Sequence, residues 1–393
     1  MPIYQSATFA AADAEELGDV LTGQIPGYAY SRVDNPTTAA LAEAVAELEG
    51  ADAGFAFASG MAAIHAALLS LVGAGDRIVA TRAAYGSTHA LLTHLFARLG
   101  IETVFVDITD LDAVEAAVAT QPTRVLYAET ISNPTIVVAD HAALAEIAHR
   151  HGAAYVVDNT FASPYLCRPF ELGADLVIES ATKYLSGHSD VLAGVVSGSR
   201  EAVARVRVVQ IDTGGTLAPL SAFLVLRGIT TLAVRMERHS ASAATLAAWL
   251  EGREGVSRVL HPSRPSHPQQ AVASRQLLRG GGMLAFELTG GRAAGRVLID
   301  ALAVTERTAS LGSVHTMVVH PPSTTHRQLD DAALAEAGIA PGLLRVSVGL
   351  EDVDDLLADF EQGLAAARAV PGHQETRAAP VASVAQPTPT GSR

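Results

Sequence analysis

Hydrophobic positions along the chain change period in a regular way. Between about residues 50 and 200, short apolar runs alternate with segments whose apolar residues recur every three or four positions. The runs Arg77–Ala80, Thr103–Val106, Arg124–Ala128, Ala154–Val157 and Leu176–Glu179 read as buried strands. The segments Met61–Leu71, Gly86–Leu99, Leu111–Ala119 and His141–His151 read as helices, the first entered from a strand-like stretch, Ala51–Ser59. Strand–helix alternation of this kind predicts an α/β fold: a mostly parallel central sheet with helices on both faces. In such sheets ligands bind beyond the carboxyl ends of the strands, so residues that follow strands are the candidates for chemistry.

Outside that region the pattern differs. Residues 1–35 lack sustained periodicity and read as an extended arm with a short helix near Ala11–Val20. Asn35-Pro-Thr-Thr38 resembles a helix start, with Thr38 or a neighbour capping Ala39–Leu48. Glu201–Gln210 and Ser221–Leu250 are long helical patterns, the second a bridge to another domain. Strands Val256–Leu260, Gly282–Leu288 and Leu343–Val348, with helices Gly291–Ala301 and Asp352–Ala367, predict a smaller C-terminal α/β domain. The expected division is therefore an arm over 1–35, a large domain over 36–235 and a C-terminal domain over 236–370. A disordered tail rich in Pro, Ala, Thr and Ser follows over 371–393.

Charge narrows the choice of partners. A formal net charge of −14, with basic residues scattered, argues against nucleic acid and against an anionic membrane surface. Cys167 is the single cysteine, which excludes an internal disulfide and any CxxC metal or redox motif. With neither a signal-peptide pattern at the start nor a membrane-spanning apolar stretch, the expected location is the cytoplasm.

One residue type stands out. Of 27 basic side chains, only Lys183 is a lysine. Arginine keeps its proton in proteins, whereas a desolvated lysine can act as a neutral amine nucleophile and form a Schiff base. The competing reading is a solvated surface lysine. Asp158 ends an apolar strand, where an ionised carboxylate calls for a cation; a protonated pyridine nitrogen would serve, and a helix or loop cap is the alternative. Ser59-Gly60-Met61 opens a helix whose backbone N–H groups suit a phosphate, although Ser-Gly also caps helices that bind nothing. Ser180 and Thr182 flank the lysine on alternate positions, so their hydroxyls are expected to point at that same phosphate. Tyr85 follows a strand and could stack on an aromatic ring or simply pack in a loop. Arg345 lies on an otherwise apolar strand and offers bidentate geometry to a carboxylate, with a structural salt bridge as the alternative.

Taken together, Ser180-Ala-Thr-Lys-Tyr-Leu-Ser-Gly187, Tyr30-Ser-Arg32, Asn35-Pro-Thr37, Ser59-Gly-Met61, Asp158-Asn-Thr160 and Arg345-Val-Ser-Val-Gly349 resemble the cysteine/methionine metabolism family of pyridoxal-phosphate enzymes. The family includes methionine γ-lyase, cystathionine γ-lyase, cystathionine β-lyase, cystathionine γ-synthase and O-acetylhomoserine sulfhydrylase. The match runs from about Pro2 to Ala367 and implies the fold type I architecture of pyridoxal-phosphate enzymes. It implies a Schiff base on Lys183, Asp158 at the ring nitrogen, and Tyr85 stacked on the ring and assisting proton transfer. Ser59, Gly60, Met61, Ser180 and Thr182 would surround the phosphate. Arg345 would bind the substrate carboxylate, with Asn133 and Ser310 nearby. Tyr30 and Arg32 would reach the phosphate of a neighbouring subunit, in a homotetramer built as a dimer of dimers. The implied reaction is elimination or replacement at the γ-carbon of a small amino acid.

Two departures bear on the substrate. Many cystathionine-processing members carry a glutamate where this chain has His315, and a glutamate could receive the distal ammonium of cystathionine. Methionine γ-lyases carry a cysteine where this chain has Ser87. The lead expectation is γ-elimination of the methionine γ-lyase type, releasing 2-oxobutanoate, ammonia and a thiol. The alternatives are cystathionine γ-lyase or γ-replacement by a homoserine sulfhydrylase or cystathionine γ-synthase. The stretch His320-Pro-Pro-Ser-Thr-Thr-His326 looks closest to sulfhydrylases. A metal at His315, His320 and His326 is not expected. A non-catalytic scaffold is disfavoured by the intact Lys183, Asp158 and Arg345 set. A nicotinamide enzyme is disfavoured because no GxGxxG follows the first strand.

Overall fold

The structure is a computed structural model that describes residues 2–370 apart from 326, 328–333 and 335–337. His326 and the expected tail over 371–393 lie outside the described residues. The arm carries α1 (Ala14–Thr22), three residues later than the pattern suggested where it starts and two later where it ends. No residue of α1 is buried, and Leu17, Leu21 and Ile25 are exposed.

Helix α2 (Pro36–Glu49) begins at Pro36 rather than Ala39, because Asn35 and not Thr38 is its cap. The Asn35 side chain accepts from Thr37 N–H at 2.9 Å, and its amide donates to Tyr4 O and Ser31 Oγ at 2.9 Å each. One buried side chain thus starts the helix and ties down the arm.

Strand β1 (Ala53–Phe57) leads into α3 (Gly60–Leu69), followed by β2 (Arg77–Thr81) and α4 (Gly86–Ala90), which continues as a π-helical turn over Leu91–Phe96. Then come β3 (Glu102–Val106), α5 (Leu111–Thr120), β4 (Val125–Glu129), α6 (His141–Arg150), β5 (Ala154–Asp158), the short α7 (Ser163–Leu166) and β6 (Leu176–Glu179). A strand the pattern did not separate, β7 (Gly194–Gly198), precedes α8 (Arg200–Thr213). Two glycines and a serine in five residues dilute its apolar signal, although all five positions are buried.

The seven strands form one sheet in the order β1-β7-β6-β5-β4-β2-β3. Strands β2 to β6 run parallel, and β7 pairs antiparallel with both β1 and β6. The sheet is mixed, with β7 reversed. Adjacent parallel strands end together: Glu129 of β4 lies opposite Asp158 of β5. Their carboxyl ends therefore form one rim.

The expected helix Ser221–Leu250 is two helices, α9 (Pro219–Ile229) and α10 (Leu232–Leu250), bent by 62°. The apolar pattern runs through the bend without a proline, which hid it. Its cause is tertiary: a Cβ on Gly228 would lie 2.2 Å from Ser186 O, so the turn bearing Lys183 presses on that backbone. Buried Arg235 of α10 spans the gap, donating to Gly228 O at 2.8 Å and Tyr184 O at 2.7 Å. Among the described residues no single helix is long and apolar enough to cross a membrane.

Beyond α10, β8 (Val256–Leu260), α11 (Gln270–Gln276), β9 (Met283–Leu288), α12 (Gly291–Ala301), β10 (Glu306–Arg307), β11 (Met317–Val319) and β12 (Leu343–Ser347) lead to α13 (Val353–Arg368). The strands form a second sheet, β10-β11-β12-β9-β8, antiparallel except for β10 with β11. Its strand β12 carries Arg345 toward the rim of the first sheet, where Arg345 meets Asn133.

Candidate active site

Lys183 does not sit on a strand. Sheet strand β6 stops at Glu179, and residues 181–186 turn, with Lys183 N–H donating to Ser180 O at 3.0 Å and Gly187 N–H to Lys183 O at 2.8 Å. The expectation that Ser180 and Thr182 share a face by strand alternation therefore fails in its reasoning. The Thr182 hydroxyl is held by the backbone of Ala193, accepting from its N–H at 3.0 Å. Ser180 instead lies against the start of α3, where a Cβ on Gly60 would be 2.7 Å from Ser180 Cβ. Only glycine permits that approach. Ser59 caps the helix by accepting from Ala62 N–H at 3.1 Å, and Met61 follows in its first turn.

Around the lysine the polar groups converge. Lys183 Nζ donates to Ser310 Oγ at 2.9 Å. Arg345 Nη2 donates to Ser310 O at 2.8 Å, and its Nη1 to Asn133 Oδ1 at 2.9 Å. Gly312, at φ +74°, lets the loop after Ser310 lie against the Lys183 backbone; a Cβ there would be 2.7 Å from Tyr184 N. Arg345 is buried, and its Nε has no hydrogen-bond partner within the protein. A buried N–H of this kind is free to take an acceptor.

Burial sets the acid–base character. Desolvation, reinforced by the neighbouring Arg345 charge, lowers Lys183 to about 8. Desolvation pushes Asp158 above the usual carboxylate range, opposed by Thr160, whose N–H donates to it at 3.0 Å. Glu129, beside Asp158, is pushed well up by burial and then by Asp158 itself. Among the described residues no Arg, Lys or His pairs with either acid. Glu129 is held by backbone N–H groups, so Asp158 is the buried carboxylate at this rim that calls for a cation the protein does not supply.

Tyr85 precedes α4 and is 42% exposed, with its N–H donating to Glu129 Oε1 at 2.5 Å. Tyr30 and Arg32 are the exceptions to this convergence. Both are exposed on the arm, with Arg32 stacked 5.4 Å from the Tyr30 ring centroid and donating to Ile211 O at the end of α8. His315 is exposed, and the nearby Glu351 carboxylate is taken by Thr316, from its N–H at 2.6 Å and hydroxyl at 2.7 Å. His320 is buried and serves the fold, bonded to Ser323 Oγ and Pro341 O. No cluster of metal-ligating side chains occurs among the described residues.

Comparison with known proteins identifies the family. Residues 1–365 match the family described as Cys/Met metabolism PLP-dependent enzyme. The chain belongs to that family. It is 47% identical over 367 residues to an L-methionine gamma-lyase of Pseudomonas putida, covering 93% of this chain and 92% of that one. An O-succinylhomoserine sulfhydrylase of Pseudomonas aeruginosa is 43% identical, over 93% of this chain and 90% of that one. The crystal structure of cystathionine gamma synthase from Xanthomonas oryzae pv. oryzae in complex with cystathionine superposes with a TM-score of 0.88 at 38% identity, covering 94% and 93%.

As a Cys/Met metabolism enzyme, the protein is a pyridoxal-phosphate-dependent carbon–sulfur lyase acting on small amino acids. Its residues fit the cofactor. The buried Asp158 lacks the cation that a protonated ring nitrogen supplies, and Lys183 is desolvated into the range where its amine is reactive. Sequence reasoning overlooked Glu129. The signal was present: Glu129 closes an apolar strand, Val125–Glu129, just as Asp158 closes Ala154–Asp158.

Proposed function

We propose that the protein eliminates the γ-substituent of a methionine-type sulfur amino acid, giving 2-oxobutanoate, ammonia and a thiol. Pyridoxal phosphate, when bound, supplies the electron sink that stabilises negative charge at the substrate's α- and β-carbons. Lys183 Nζ holds the cofactor and moves protons at those carbons. Ser310 Oγ orients that amine. Asp158 binds the ring-nitrogen end, while Ser59, Gly60, Met61, Ser180 and Thr182 hold the phosphate end. Arg345 takes the substrate carboxylate, its buried Nε being a donor without a partner, with Asn133 steadying the guanidinium. Tyr85 stacks on the ring and passes a proton to the departing sulfur. Tyr30 and Arg32 reach a neighbouring subunit's phosphate within a homotetramer, which accounts for an arm that leaves its apolar side chains exposed.

The observation that carries the substrate choice is at His315. A distal ammonium would need a carboxylate there, and the one close by, Glu351, is already occupied by Thr316. A small apolar thioether needs no such partner. Ser87, exposed in the first turn of α4, supports a second reading, γ-replacement, because methionine γ-lyases carry cysteine there. Supplying O-acetylhomoserine with sulfide separates the two. Elimination yields 2-oxobutanoate at a rate unaffected by sulfide; conversion mainly to homocysteine would overturn it.

A further inference from the structure

Glu129 has no role in the mechanism above, yet it lies at the centre of the hydrogen-bond pattern. Its carboxylate accepts Tyr85 N–H at 2.5 Å and faces the backbone N–H of Asn133. Asn133 Oδ1 in turn receives Arg345 Nη1, Arg345 Nη2 reaches Ser310 O, and Ser310 Oγ receives Lys183 Nζ. Tyr85 and Lys183 are 98 residues apart in sequence, but a continuous path of polar contacts joins them. Glu129 is the only member of that path touching the Tyr85 backbone, and Tyr85 is otherwise an exposed residue on a loop with no side-chain cap for the helix it precedes. A carboxylate 6% exposed, held between two loops rather than paired with a cation, acts as a brace.

We propose that Glu129 is a positioning residue that fixes Tyr85 relative to the carboxylate clamp of Asn133 and Arg345. It acts through Tyr85 and does not itself touch substrate. The idea rests on the reading of Tyr85 as the ring-stacking, proton-transferring group. Glu129→Gln keeps the reach but places an amide donor where an N–H donor must be accepted, so one of the two braces is lost. Arg345 keeps its bond to Ser310 O, so substrate affinity should change little.

The test is a double-mutant cycle on the holoenzyme. Glu129→Gln is expected to lower kcat on the order of 10- to 100-fold, the range for groups that orient site residues, with KM within about threefold. The visible circular dichroism band of the bound cofactor should fall as Tyr85 leaves the ring. In a Tyr85→Phe background the same substitution should cost less than about threefold in kcat, because the proton-transferring hydroxyl it positions is gone. An undiminished cost in that background, or a kcat within twofold in the wild-type background, overturns the proposal. If the glutamine variant does not fold, Glu129→Asp carries the same test, since it withdraws the acceptor from Tyr85 N–H while keeping a carboxyl group. Tyr85→Phe alone with unchanged kcat and circular dichroism would instead refute the reading of Tyr85, which separates the two failures.

Discussion

Lys183 Nζ and Ser310 Oγ, 127 residues apart in sequence, are joined by a 2.9 Å hydrogen bond. The bond brings a loop of the second sheet's half of the chain onto the only lysine, and it fixes an amine that burial has already made easier to deprotonate. With burial first and Arg345 second, its pKa falls from 10.5 to about 8.

That value can be read directly because no other lysine competes. Apoprotein reductively methylated with carbon-13 formaldehyde should show a resonance titrating near 8 that is absent from Lys183→Arg, which retains only the α-amino signal. The sign for stability follows. Below pH 8 the amine is protonated in both folded and unfolded chains and its desolvation cost is present in full. Between 8 and 10.5 the unfolded chain holds more protons, so apoprotein stability rises with pH from this group. A resonance titrating near 10.5 would contradict the placement.

Lys183→Arg keeps the charge and removes the chemistry. Arginine cannot form the Schiff base, so turnover should fall by at least about a thousandfold, the scale of lost nucleophilic and proton-transfer groups. Borohydride should label wild-type protein on the Lys183 peptide and leave the variant unlabelled.

Arg345→Lys should raise KM more than it lowers kcat. A single ammonium cannot hold Asn133, Ser310 O and a carboxylate together as the guanidinium can. Losing one charge-assisted bond of about 1.5–3 kcal/mol corresponds to a KM rise of roughly 10- to 100-fold. Steady-state kinetics on the folded variant check this.

If Arg32 serves a neighbouring subunit, two inactive variants should rescue each other. Arg32→Ala mixed with Lys183→Arg, after dissociation and reassembly, should recover about a quarter of wild-type activity. Half of randomly formed dimers are hybrids, and each hybrid has one intact site. No recovery would place Arg32 in its own subunit's business, where its hydrogen bond to Ile211 O already lies.

Much of the sheet was legible in the chain because buried parallel strands are short apolar runs, and five of them stand between amphipathic helices. What escaped notice depended on contacts distant in sequence. Gly194–Gly198 is a strand because β1 and β6 flank it, and the bend after Ile229 exists because Ser186 O presses on Gly228. At the site, Lys183, Asp158 and Arg345 were readable as polar residues at apolar boundaries. Their mutual arrangement was not, since the Lys183 segment turns where alternation assumed a strand, and Glu129 bonds to Tyr85, 44 positions away. Local pattern finds the groups; topology decides which of them meet.

The substrate preference is the central functional claim, and kcat/KM for methionine against cystathionine, measured by 2-oxobutanoate release, tests it most directly. Wild-type protein should prefer methionine, and His315→Glu should shift the ratio toward cystathionine by about fivefold, the worth of an exposed charge pair. A wild-type protein that strongly prefers cystathionine, with a ratio unmoved by His315→Glu, would contradict it.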